Sequence, residues 1–274
     1  MSNGKVIMVT GATDGLGRSL ATDLARNGAT LLLHGRDDAR GRATIEEIRG
    51  ATGNDDLHWY LADFASLDEV RAMAGRVEAE RDRLDALVNN AGIGTTLHGD
   101  GARMESRDGH ELRFAVNYLA HFLLTRRLLP LIERSSPARI VSVSSAGQAP
   151  IDFDDVMLQR NYNGIQAYCQ SKLAQVMLTF DLAEELEGGG VTANCLHPAT
   201  YMPTKMVTDS GTTPISSLEE GTRATARLVV DPALEEVSGR YFDGRSEARA
   251  HPQAYDADAR RRLRELSERL IAGE

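Results

Sequence analysis

Apolar residues along this chain follow two alternating patterns. Segments 5–10 (KVIMVT), 30–34 (TLLLH), 58–61, 84–89, 139–144 and 191–196 are short, apolar and rich in β-formers, as strands buried on both faces are. Between them, segments 16–27, 38–49, 66–80, 110–133 and 168–187 repeat apolar residues at helical spacing. Strand and helix in strict alternation predict right-handed crossovers and a doubly wound parallel sheet with helices on both faces. Gly28 closes the first helix, and Gly188-Gly189-Gly190 stops the long one before its strand. Two segments, 146–166 and 198–217, fit the alternation poorly. Each follows the C-terminal end of a strand, where open α/β sheets bind ligands, so both are expected to be substrate loops, the second a mobile lid. The tail, 252–271, reads as a terminal amphipathic helix. No linker or repeat divides the 274 residues, and a single domain over 1–274 is expected.

Composition narrows the function. A formal net charge of −9 argues against nucleic acid or an anionic membrane as the main partner. Cys169 and Cys195 supply neither a disulfide framework nor a zinc site, and His34, His58, His110, His121 and His197 have no metal spacing and read as structural or surface residues. The first residues lack a signal-peptide core, and no apolar run approaches the roughly 20 residues that span a bilayer. A soluble, cytoplasmic protein acting on a small molecule is expected. Positive charge is carried almost wholly by Arg; the lysines are Lys5, Lys172 and Lys205.

Thr10-Gly11-Ala12-Thr13-Asp14-Gly15-Leu16-Gly17 lies between the first strand and the first helix. Glycines at GxxxGxG spacing let backbone approach a pyrophosphate, and free N–H groups at the helix start hold the anion. The second strand ends His34-Gly35-Arg36-Asp37, without an acid at its first positions to hydrogen-bond the ribose 2′-hydroxyl of NAD. Arg36 can pair a 2′-phosphate through its planar fork, with Arg18 adding to the field. NADP(H) is therefore the expected cofactor; NAD(H) is the alternative if Asp37 turns inward. Tyr168 and Lys172, four apart on a helix, project from one face. An ammonium beside a phenol favours the phenolate and so tunes a Tyr for acid–base work.

These motifs together resemble the short-chain dehydrogenase/reductase family over nearly the whole chain: TGATDGLG at 10–17, Asp63 after the third strand, Asn89-Asn90-Ala91-Gly92, Asn117 in AVNYLAHF, Ser144-Ser145 after VSV, Tyr168 to Lys172 in YCQSK, and His197-Pro198 after the sixth strand. The helical tail and the long interval between Ser145 and Tyr168 are similar to the retinol-dehydrogenase-like branch. The resemblance implies a Rossmann fold on a mostly seven-stranded parallel sheet. It implies that Gly11, Thr13, Gly15, Leu16, Gly17, Arg36, Asp63, Phe64, Asn90, Ala91, Gly92 and Pro198 line the cofactor site. It further implies that Tyr168 is the acid/base, that Lys172 grips the nicotinamide ribose and lowers the Tyr168 pKa, and that Asn117 holds a water behind Lys172. Ser145 is expected at the substrate oxygen rather than Ser144, because strand alternation turns one of the two inward. The family's Pro-Gly reads Pro198-Ala199 here, and the usual lid Thr is displaced to Thr204, so either Thr200 or Thr204 is expected at the carboxamide.

The activity so implied is hydride transfer between NADP(H) and a carbonyl or secondary alcohol. Met104, Phe153, Met157, Tyr162, Tyr201, Met202 and Met206 make the loops apolar and suit a medium-sized hydrophobic substrate. The alternatives are a non-redox epimerase or dehydratase on the same scaffold, and a non-catalytic cofactor-binding regulator. A homo-oligomer, dimer or tetramer, formed through the helices at 110–133 and 168–187, is also expected.

Overall fold

The computed structural model describes residues 2–95 and 102–273. Its sheet is built from β1 (Val6–Val9), β2 (Thr30–Gly35), β3 (Leu57–Leu61), β4 (Ala86–Asn89), β5 (Ala138–Val143), β6 (Val191–His197), β7 (Arg240–Asp243) and β8 (Ser246–Ala248), in the order β3-β2-β1-β4-β5-β6-β7-β8. The first seven are parallel, and β8 adds an antiparallel edge that the sequence pattern did not show. Gly244, at φ +56°, starts the two-residue turn that folds β8 back onto β7. The order reverses between β1 and β4, and the crevice beyond the strand ends at that point is where such sheets take ligands.

Strand alternation divides the core into two layers. Met8, Leu32, Leu87 and Ile140 face α3 (Leu67–Glu80), α5 (Ala120–Arg134) and α6 (Gly164–Glu185). Ile7, Leu31, Leu33, Val88 and Val141 face α1 (Gly15–Arg26), α2 (Asp38–Thr52) and α8 (Leu218–Val230). Helix starts follow cap chemistry: Asp14, Asp37, Ser66 and Asn163 each accept a main-chain N–H of the turn they open. The Asn163 cap begins α6 four residues before the expected Tyr168. The single helix expected over 110–133 is instead a short α4 (Leu112–Phe114), a π-helical turn at Ala115–Leu119 and α5.

Every residue of α6 from Gln170 to Leu182 is buried. One side of that helix is covered by the tail, which is helical as expected: a 3-10 turn at Pro252–Tyr255 leads into α9 (Ala257–Ala272). Arg260 and Arg264 both pair with the buried Asp181 of α6, at 3.0 and 2.9 Å, and Tyr118 bonds Ser267 at 2.7 Å. No helix among the described residues is long and apolar enough to cross a membrane.

Candidate active site

The Gly-rich turn and the β4 exit interlock at the crevice. Gly11 adopts φ +67°, and a Cβ there would stand 2.8 Å from Ala91 Cα; a Cβ on Gly17 would stand 2.2 Å from the Gly11 carbonyl and 2.6 Å from the Asn90 amide nitrogen. Only glycine fits either place. Asn90 donates its side-chain amide to the Thr10 carbonyl at 2.7 Å, while the Asn90 and Ala91 N–H groups both donate to Thr10 Oγ1. Asn90 and Ala91 therefore brace the cradle as well as lining it. His34, read from the sequence as merely structural, is part of this frame. It accepts the Gly11 N–H at Nδ1 (3.2 Å), so its Nε2 carries the proton and donates to the Ala62 carbonyl at 3.0 Å. Burial pushes the His34 imidazole down to about 4, which keeps it neutral and its tautomer fixed.

A cavity of about 820 Å³ runs from this cradle along the strand ends. Gly11, Thr13, Gly15, Leu16, Gly17, Arg36, Asp63, Phe64, Asn90, Ala91, Gly92 and Pro198 all line it, together with Ser145, Tyr168 and Lys172. Asn117 does not line it. At the β2 end, Arg36 is exposed and makes no ion pair among the described residues. Asp37, the residue that could have favoured NAD, instead accepts the Arg40 N–H as the cap of α2 and does not line the cavity. Arg18 is outside the cavity too, paired with Glu47 at 2.9 Å. Asp63 lines the cavity while accepting the Ala65 N–H, and Phe64 stacks on His34 with ring centres 4.2 Å apart. The glycine-only contacts and the unpaired Arg36 fit a dinucleotide laid across this floor.

The reactive end is assembled by β5 and α6. Ser144 turns its hydroxyl inward and donates to the Lys172 carbonyl at 2.8 Å, while Ser145 Oγ accepts the Gly147 N–H at 3.0 Å and lines the cavity with Tyr168. The Tyr241 hydroxyl on β7 holds the Ser145 carbonyl at 3.1 Å. Lys172 Nζ lies 5.7 Å from the Tyr168 ring centre and donates to the Val143 carbonyl (3.0 Å) and to Gln175 Oε1 (2.9 Å). Burial pushes the Lys172 ammonium down to about 7. Burial raises the Tyr168 hydroxyl above the ordinary tyrosine value, and the Ser145 hydroxyl near it draws it back only in part. Burial sets the direction at Tyr168, and Lys172, itself pushed down by burial, does not offset it, contrary to expectation.

Asn117 explains the π turn. Its side chain accepts the Ile93 N–H at 2.8 Å, donates to the Ile93 carbonyl at 3.1 Å and reaches Ser171 Oγ at 3.0 Å, clamping the β4 exit to α6. A π bulge is the local price of placing that amide across three elements. The Asn117 main-chain carbonyl lies 2.9 Å from His121 Nδ1.

Of the apolar loop residues expected in the pocket, Tyr201, Met202 and Met206 line it. Phe153 and Met157 pack on the core, and Met104 is not at the cavity. Tyr162 is bound to the buried Glu111 and Arg113. The lid segment carries a short helix, α7 (Lys205–Thr208). Thr204 packs over Gly15, and Lys205 pairs with Asp14 at 3.5 Å across the cradle. Thr200 bonds His197 at 3.0 Å. Lys205, Gln175 and His121 were given no role from sequence, although the scarcity of lysine already made Lys205 conspicuous.

Comparisons with known proteins agree with this geometry. Residues 5–214 match the family model described as short chain dehydrogenase. Retinol dehydrogenase 13 of Homo sapiens is 40% identical, over 98% of this chain and 85% of its own. A crystal structure of an uncharacterized protein from Mycobacterium Paratuberculosis superposes with a TM-score of 0.80 at 29% identity, covering 98% of this chain and 94% of that one. A short chain dehydrogenase from Shigella flexneri 2a str. 301, complexed with NADP, superposes at 0.72 with 28% identity, over 88% of this chain and 97% of its own. The chain belongs to the short-chain dehydrogenase/reductase family, in its retinol-dehydrogenase-like branch, and is an NAD(P)-dependent oxidoreductase.

Proposed function

We propose that the protein is an NADP(H)-dependent reductase/dehydrogenase of an extended apolar aldehyde or alcohol, of the retinoid kind named in its relatives. The observation that carries the cofactor choice is Arg36, unpaired at the cavity's β2 end while Asp37 is held away as a helix cap. The substrate class is supported by the other end of the cavity, where Ile93, Val116, Ile165, Tyr201 and Met206 present apolar surface. Ile165 and Tyr201 are exposed at its rim, at 62% and 51%.

When bound, the dinucleotide supplies or accepts the hydride. The chain's own residues do the rest. Leu16 and Gly17 bring main-chain N–H groups of the α1 start to the pyrophosphate, and Gly11 and Gly15, whose own N–H groups are held by His34 and Asp14, keep the turn bare for its approach. Asp63 and the Phe64 main chain receive the adenine side, and Asn90, Ala91 and Gly92 wall the adenine-ribose. Lys172 holds the nicotinamide ribose, and Pro198 with Thr200 or Thr204 closes over the carboxamide. Ser145 hydrogen-bonds the substrate oxygen, and Tyr168 gives that oxygen its proton in reduction and takes it back in oxidation. A raised Tyr168 pKa suits the donor role, since the phenol enters the cycle protonated. Asn117 acts at one remove, fixing α6 against the β4 exit.

Arg36→Ala tests the cofactor. A charge-assisted contact to a 2′-phosphate contributes about 1.5–3 kcal/mol, so the variant should weaken NADPH binding about tenfold or more and leave NADH binding unchanged. Nicotinamide fluorescence titration of both proteins reads this directly; equal losses for the two cofactors would remove Arg36 from the phosphate.

A further inference from the structure

Lys172 stands at one end of a buried chain of hydrogen-bonding groups that reaches the cofactor cradle. Its Nζ meets Gln175 Oε1 at 2.9 Å; Gln175 Nε2 meets His121 Nδ1 at 3.1 Å; and His121 Nε2 meets Thr10 Oγ1 at 3.4 Å. Gln175 and His121 are each 1% exposed, and Thr10 is fully buried. Thr10 Oγ1 is the atom that receives the Asn90 and Ala91 N–H groups. Two groups at opposite ends of the active site are thus joined through two side chains to which the family resemblance assigns no role.

The groups in this chain admit two complete proton patterns. In the first, the Lys172 ammonium donates to Gln175 Oε1, Gln175 Nε2 donates to His121 Nδ1, and His121 carries its proton on Nε2. In the second, Lys172 is a neutral amine and accepts from Gln175 Nε2 after the amide turns over. Gln175 Oε1 then faces a protonated His121 Nδ1, which also donates to the Asn117 carbonyl at 2.9 Å, and Thr10 donates to Nε2. Both patterns satisfy Lys172 and Gln175 but differ at the imidazole: the first leaves a bare Nδ1 2.9 Å from the Asn117 carbonyl while Thr10 donates to the Val88 carbonyl at 3.1 Å, and the second puts the proton on Nδ1 and turns the Thr10 hydroxyl from Val88 to Nε2. The imidazole carries one proton in both and changes only the nitrogen that holds it. His121 can play this part because burial, with Lys172 adding to it, pushes it down to about 3, so it stays uncharged.

We propose that Gln175, backed by His121, is the positioning residue for Lys172: its amide holds the lysine nitrogen in either protonation state and sets the proton affinity of the Lys172–Tyr168 pair. The titratable groups facing Lys172 are Tyr168 on α6 and His121 on α5, with Cys169 beside Tyr168 and His34 beyond His121. Val143 of β5 offers it a carbonyl, and among the described residues no carboxylate pairs with it.

The role takes the oxidoreductase reading above as its setting, but its test does not need turnover. Isotope-labelled lysine and histidine in the cofactor-free wild-type protein, with Lys172→Arg and His121→Gln assigning the signals, report both groups by nuclear magnetic resonance. Lys172 is expected to titrate, and the His121 proton to move from Nε2 to Nδ1 with the same midpoint. Gln175→Met is expected to lower the Lys172 midpoint by about one pH unit and to break that linkage; Gln175→Glu, which sets a carboxylate beside the ammonium, is expected to raise it by about one unit or more. The alkaline limb of kcat/KM should move with it in each active variant. A His121 proton fixed on one nitrogen through the Lys172 titration overturns the proposal in the wild-type protein, whether or not the variants fold. So does a Lys172 midpoint unmoved, within about 0.2 unit, in folded Gln175 variants. Absence of turnover with the linkage intact would instead count against the assigned reaction.

Discussion

Tyr168→Phe is expected to lower kcat for aldehyde reduction by about a thousandfold, within the range that a positioned general acid contributes, while NADPH still binds within about threefold of wild type. The phenol lines the cavity with Ser145, and no neighbour can take over its proton. Lys172 is committed to Val143 and Gln175, burial pushes the adjacent Cys169 thiol up, and His197 is bonded to Thr200 with its pKa pushed down by burial. Ring packing is retained in Phe, so the loss should lie in kcat and not in folding. Single-turnover NADPH oxidation alongside fluorescence titration separates the two effects, and undiminished turnover would remove Tyr168 from the chemistry.

Gly17→Ala should have the second large effect, on binding. The added methyl would fall 2.2 Å from the Gly11 carbonyl, which is backbone, and 2.6 Å from the Asn90 side-chain nitrogen, which is tied to the Thr10 carbonyl at 2.7 Å. Overpacking of this kind costs about 1–3 kcal/mol where the surroundings give way, and here they give way by opening the turn that shapes the pyrophosphate floor. NADPH affinity should fall at least about a hundredfold, and the rise in melting temperature that NADPH confers should vanish. Gly50→Ala on α2 is the matched control: its Cβ meets nothing within 4 Å, and Ala is favoured over Gly in a helix by about 1 kcal/mol. That variant should melt no lower than wild type and keep its NADPH response. A normal NADPH response in Gly17→Ala would mean the dinucleotide does not lie on this turn.

Much of this was legible because local patterns carry it. Alternation of strand and helix gave the doubly wound sheet, glycine spacing located the cradle, and the four-residue interval from Tyr168 to Lys172 on one helix face brought both to the cavity. The separation of Ser144 from Ser145 followed from strand alternation alone. What was not legible depends on partners far away in sequence. β7 and β8 are short, without an apolar run to announce them, and α8 lies just past the ambiguous segment 198–217. The π turn exists because Asn117 reaches Ile93 and Ser171, neither of them near it in the chain. The direction of the Tyr168 shift reversed for a similar reason. Sequence places the ammonium on the same face as the phenol, but burial of α6 raises the phenol and lowers the lysine. Burial of α6 likewise follows from the long-range Asp181–Arg260 and Asp181–Arg264 pairs, which no helical periodicity reveals.

The most direct test follows the transferred hydrogen. With NADPH deuterated at one face of nicotinamide C4 and retinaldehyde as the apolar carbonyl, the protein should form retinol bearing one deuterium at the carbinol carbon. The label should arrive from one face of the cofactor and be absent when the opposite face is labelled. Alcohol free of deuterium with either label, or a substrate isomerised or dehydrated while the label stays on the cofactor, would contradict hydride transfer in this site.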